Sequence, residues 1–154
     1  MSLFTVLKIL HILSAIVALG TNTTYRVLLA SAARQPEALI FTLKTIRTLD
    51  RRLANPGYGL LLVTGLSMVY ILQMPLTTPW ILSALVLYIL IAVLGSTVYA
   101  PVFRLQIRLA ESEGAQGETY RATARKGNLI GLGVLLLTVL IVILMVARPL
   151  LWRG

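Results

Sequence analysis

The chain has 154 residues, a length suited to one domain. Hydrophobic residues make up 58% and charged residues 12%, where a soluble domain carries roughly 45–50% and about 25%. Those proportions exclude an ordinary soluble enzyme and a disordered chain alike. The charge is one-sided, 14 Lys+Arg against 5 Asp+Glu for a net +9, and mean hydropathy is +0.88. Nucleic-acid binding needs a basic face on a soluble fold. Here the basic residues border long apolar runs, a pattern of membrane topology that gives no nucleic-acid partner. With no cysteine there is no disulfide framework, thiolate metal site or cysteine nucleophile.

Residues 9–25, 53–103 and 127–147 contain no formal charge. A helix crossing the hydrocarbon core needs about 20 residues at ~1.5 Å each. The first and last stretches fit one span each. The middle one fits two, parted by Met74-Pro75-Leu76-Thr77-Thr78-Pro79, where two prolines stop a helix. The expected fold is therefore all-α: a polytopic membrane four-helix bundle, one domain over 1–154, with spans near 3–27, 57–74, 79–102 and 127–148.

The first span carries the chemistry. Lys8, His11, Ala15, Ala18, Asn22 and Arg26 recur at helical spacing, so they share a face that is expected to point into the bundle. Ser14 and Tyr25 lie beside it. His11 is the single histidine, about 12 Å from Leu3 by helical rise. Neutral imidazole ligates membrane haem or relays protons, and Lys8 one turn away could neutralise a propionate. The plainer alternative is a buried histidine bonded to a hydroxyl or carbonyl. Ala30-Ser31-Ala32 has the spacing of a signal-peptide cleavage site, but the apolar run ends earlier, at Gly20, so this segment is expected to remain as a span. The Asn22-Thr23-Thr24 sequon falls inside it and is discounted.

The connection between spans one and two holds Arg34, Lys44, Arg47, Arg51 and Arg52. Leu39, Leu43, Ile46 and Leu53 recur among them, predicting an amphipathic inner-side helix from Pro36 to Leu53 that Asn55-Pro56-Gly57 terminates. Its basic surface would suit anionic inner-leaflet lipids. In the second connection, Arg104, Arg108, Arg121, Arg125 and Lys126 flank a surface loop over Glu111–Glu118. The positive-inside rule puts both connections in the cytoplasm and both termini outside, as in a multi-pass protein of a bacterial inner membrane. Trp80 and Trp152 then mark the outer boundary, and Tyr25, Tyr58 and Tyr99 the inner one.

The remaining spans hold little chemistry. Residues 53–103 contain neither acid nor histidine, so no catalytic constellation is expected there. Met68, Met74 and Met145 could hold Cu(I), but scattered methionines in apolar spans usually only pack. Gly127 and Gly131 form a GxxxG pair, read as close helix packing.

Leu7-Lys8-Ile9-Leu10-His11-Ile12, followed by Gly20 and Arg26, resembles the first span of HemJ-type protoporphyrinogen oxidases and CopD-like membrane proteins. Leu144-Met145-Val146-Ala147-Arg148-Pro149 resembles the closing M-V-x-[KR]-P of an uncharacterised bacterial four-helix integral-membrane family of the same group. The resemblance implies haem b, with His11 as its ligand and metal-binding residue and Lys8 and Arg26 as supporting charges. The aromatic that the enzyme family carries between its histidine and glycine is missing from Ser14–Leu19, and no Lys or His occurs in the third span, where the enzyme family carries polar residues. Three functions follow as expectations: a non-catalytic membrane subunit or bundle, a haem- or porphyrin-binding redox protein, and a small-solute or copper-handling protein. The expected partners are the bilayer, a second copy of the chain, or a larger membrane complex.

Overall fold

A computed structural model describes residues 1–148. Trp152 and Pro149, part of the boundary and closing-motif expectations, lie outside the described residues. Helix α1 spans Leu3–Ala32 and a short 3-10 turn Pro36–Ala38 leads into α2, Leu39–Leu49. A π-turn, Asp50–Ala54, joins α2 to α3, Asn55–Ile71. After the proline turn come α4, Pro79–Val93, a second π-turn, Leu94–Tyr99, and α5, Ala100–Glu113. Helix α6, Glu118–Ala147, completes four long rods. Three of the helical stretches, Leu3–Ala32, Pro79–Glu113 and Glu118–Ala147, are long and apolar enough to cross a membrane. Helix α3 has 17 residues, at the short end of what a span requires.

The rods pair as two antiparallel hairpins. Helix α1 lies along α3, and α4 lies along α6. The pairs meet where α1 touches α6 and α2 touches α5, while among the described residues α3 does not pack backbone against α4 or α6. Small residues set the close approaches. A Cβ on Gly57 would sit 3.9 Å from the Ala18 Cβ across the α1–α3 contact. On Gly127 it would meet Gln106 Oε1 at 3.3 Å, and on Gly131 it would meet Tyr99 at 3.6 Å. The GxxxG pair therefore seats α6 against α5 and the turn before it, within the chain.

Polar residues inside α1 are satisfied locally. Ser14, Thr21, Thr23 and Thr24 each donate to the carbonyl four residues back, at 2.6–3.0 Å. A hydroxyl closed this way can face an apolar surround without an unmet group. Outward positions such as Ile16, Val63, Leu136 and Val146 are exposed, leaving apolar belts on α1, α3 and α6.

The expected stop at Asn55-Pro56-Gly57 is corrected: the helix runs through. Pro56 lacks the N–H that an α-helix needs, and Pro101 repeats the problem at the start of α5. In both places the preceding turn widens, so that Asn55 N–H bonds Asp50 O and Ala100 N–H bonds Gly95 O, five residues back. A π-turn absorbs one extra residue and leaves room for the ring. That residue also shifts the helical phase. Leu53, expected inside, is 47% exposed, and Ala54 takes the buried position.

Helix α2 is amphipathic as expected, but its apolar face is used within the chain. Leu39, Leu43 and Ile46 join Tyr25, Phe103, Ile107 and Tyr120 in one core at the basic end of the rods. Lys44 Nζ reaches Glu111 Oε1 of α5 at 2.8 Å across its exposed rim. The loop expected over Glu111–Glu118 shrinks to residues 114–117, because α5 continues through Glu113. Gly114 takes the left-handed region at φ 73°, which a side chain there would strain.

Candidate ligand site

His11 faces α3. Its Nδ1 is 2.9 Å from Thr64 Oγ1, and Thr64 is 2% exposed. The Thr64 hydroxyl lies 2.6 Å from Leu60 O and donates there. Its single proton being used, Nδ1 of His11 carries the hydrogen that Thr64 accepts, and Nε2 keeps the lone pair. The ring lies over Gly65, where an added Cβ would stand 3.1 Å from His11 Cε1. A side chain there would make the imidazole give way by a few tenths of an ångström.

The face expected to point inward is only partly inward. Ser14, Ala18 and Tyr25 are buried and His11 and Asn22 half-buried, whereas Lys8 and Arg26 are exposed. The buried line runs through Ser14, Ala18, Tyr25 and Ala32, so Lys8 and Arg26 fall at its edges. Lys8 and Arg26 are also about 27 Å apart along the axis at ~1.5 Å per residue, close to the thickness of the hydrocarbon core. No one ligand can take both as charge partners of His11. Neither cavity at the basic end is lined by His11 or Lys8, while Arg26 borders both. The donor set thus fits haem in one respect, a lone-pair nitrogen held by a hydrogen bond, and not as a three-residue site. Among the described residues no three His, Cys, Asp or Glu side chains converge on a metal position.

The larger cavity, about 620 Å³, lies between the hairpins and opens at the basic end. Its rim carries Arg26, Arg47, Arg51 and Arg104, and its walls carry Tyr25, Tyr58, Tyr88 and Tyr99. Ile91 and Val134 line it farther along the rods. Asn22 Nδ2 donates to Tyr58 Oη, and Tyr88 Oη donates to Tyr58 O at 3.0 Å, joining three rods across this space. Tyr99 stacks on Phe103, ring centroids 5.7 Å apart. Asp50 is the carboxylate of the wall, and Asn55 Nδ2 donates to it at 3.3 Å. Burial pushes the Asp50 carboxyl above the usual aspartate range, and the Asn55 bond opposes that rise. The Tyr25 hydroxyl is buried with no hydrogen-bond partner among the described residues.

Sequence reasoning placed Tyr25 beside the stripe and Tyr58 and Tyr99 at one membrane boundary, and missed that they share a cavity with Asp50. The one available signal was the pair Pro56 and Pro101, the first just after one basic connection and the second just before the other.

At the opposite end, the Arg148 guanidinium lies 5.3 Å from the centroid of the Trp80 ring, a cation–π contact that ties the end of α6 to the start of α4. Apolar belts around two helical hairpins, with charge gathered at one end, define an integral membrane protein. The chain belongs to the family described as predicted integral membrane protein (DUF2269), whose model matches residues 5–149. No curated protein and no solved structure matches it.

Proposed function

We propose that the protein is a non-catalytic, four-span bundle of a bacterial inner membrane, with the basic end cytoplasmic and both termini outside. The observation that carries this reading is the sidedness of charge. Of the 14 basic residues, Lys8, Arg148 and Arg153 alone fall, by sequence position, at the end away from the basic connections. Cytoplasmic connections collect Lys and Arg in this way. Support for the fourth span comes from α3, which runs beside α1 between the Asn22–Tyr58 bond and the His11–Gly65 contact. A periplasmic-active reporter fused after Gly154 is expected to be active, and a cytoplasmic reporter there silent. The reverse pattern overturns the orientation.

A second reading keeps His11 as a ligand of haem b, in line with the likeness of Lys8–Ile12 to HemJ-type proteins. It is favoured by the Thr64 bond, which holds the ring by Nδ1 and leaves Nε2 as the coordinating nitrogen. Haem bound there would supply one-electron chemistry, and His11 would hold it through Nε2, its ring oriented by Thr64. Purified protein from haem-replete cells should then show a Soret band that His11→Ala abolishes. A colourless wild type refutes this reading and leaves the topology standing.

A further inference from the structure

We propose that the slot between the two hairpins is a binding site for an anionic phospholipid, its phosphate held among Arg26, Arg47, Arg51 and Arg104. Its proximal chain lies between Tyr88, Ile91 and Val134.

Shape is the first ground. The lining residues of one wall run from Tyr88 to Arg104, about 24 Å of helix at ~1.5 Å per residue. The volume of about 620 Å³ falls within the roughly 300–1,000 Å³ of small-molecule sites. It is a long slot with its guanidinium groups at the mouth and, at the far end, Tyr58, Tyr88, Ile91 and Val134, where the polar Asn22 is already bonded to Tyr58. Charge at one end and a largely apolar remainder is the profile of an amphiphile. A free phosphate would satisfy the mouth and leave the apolar part without an occupant.

Charge is the second ground. Among the described residues none of the four arginines has a carboxylate within salt-bridge distance, the one ion pair being Lys44–Glu111. Asp50, the acid in the wall, is bonded to Asn55. Arginine forks suit phosphate oxygens, and basic pockets between membrane helices on the cytoplasmic side accept lipid headgroups.

The third ground lies in the wall itself. Tyr25 is 4% exposed and its hydroxyl is unmet, where buried polar groups are almost always bonded. Gly95 lines the slot with nothing within 4 Å of where its Cβ would stand, so that stretch of the wall is open. The site rests on the proposed topology only for which leaflet supplies the lipid, and binding in micelles does not depend on orientation.

The test is calorimetric titration of the full chain in maltoside micelles with dihexanoyl phosphatidylglycerol, dihexanoyl phosphatidylcholine and inorganic phosphate. Phosphatidylglycerol is expected to saturate one site at least tenfold more tightly than either of the others. Arg47→Gln/Arg51→Gln should weaken it at least tenfold. Gly95→Leu, which fills the slot from an unobstructed position, should abolish it with the melting midpoint retained. If Gly95→Leu lowers that midpoint, Gly95→Met takes its place. Equal binding of phosphatidylcholine overturns the proposal. So does phosphatidylglycerol binding that survives the filled slot, or inorganic phosphate binding as tightly, since either reduces the site to a surface anion contact.

Discussion

Leu43 sits at the centre of the core that joins α2 to α1 and α5, and it is 0% exposed. Leu43→Ala removes three carbons, worth about 2.4 kcal/mol at ~0.8 kcal/mol per buried methylene. Its neighbours Ile46, Phe103 and Ile107 are held by three different turns of two helices and cannot all close the gap. A residual cavity raises the expected cost to about 3–4 kcal/mol. The matched control is Leu136→Ala on α6, where the side chain is 60% exposed. Lipid or detergent tails are as apolar as leucine, so little transfer energy is lost there and the expected change is within about 0.5 kcal/mol. Reversible unfolding in maltoside micelles titrated with dodecyl sulfate measures both. A cost at Leu43 below about 1 kcal/mol, or one at Leu136 of similar size to that at Leu43, would refute the division into an internal core and a lipid-facing belt.

Two further outcomes are expected. Gly65→Ala drives a methyl to within 3.1 Å of His11 Cε1, costing about 1–3 kcal/mol by overpacking, and the penalty should shrink in a His11→Ala background. A double-mutant cycle with no coupling would remove the imidazole from that contact. Asp50→Asn should stabilise the fold at neutral pH, since burial raises the carboxyl's folded-state pKa. An acid raised this way loses folding stability as pH climbs past its ordinary value of about 3.9. The advantage of the variant should therefore be absent in strong acid, grow through that window and then level off. A pH-independent difference in melting midpoint would count against the cause given.

Much of the architecture was legible in the charge-free runs, because the cost of an unpaired charge in hydrocarbon leaves a mark on sequence that needs no tertiary knowledge. The proline turn read at Met74–Pro79 and the amphipathic helix read over Pro36–Leu53 were legible for the same local reasons, the regular part of that helix being Leu39–Leu49. What failed was local reasoning about Pro56. A proline after Asn55 reads as a stop, yet a π-turn one step earlier lets the helix continue and moves burial from Leu53 to Ala54. The candidate sites were less legible, since they depend on register between rods. His11 could be placed on a face, but its seat on Gly65 and its bond to Thr64 follow from how α1 and α3 slide past one another. The cavity depends on two prolines widening two helices at one level, and no spacing within a single helix reveals that. Lys8 and Arg26 were grouped with His11 by periodicity and by the family resemblance, and the separation of about 27 Å between the two along the helix keeps them from serving one ligand.

The absence of cysteine makes one measurement especially clean. Thr77→Cys places a thiol in the proline turn, and Gln116→Cys places one between α5 and α6. A membrane-impermeant maleimide added to intact spheroplasts should label the Thr77→Cys protein at once and the Gln116→Cys protein only after permeabilisation. Both thiols labelled from the same side would contradict four spans, and labelling of Gln116→Cys alone would contradict the cytoplasmic placement of the basic end.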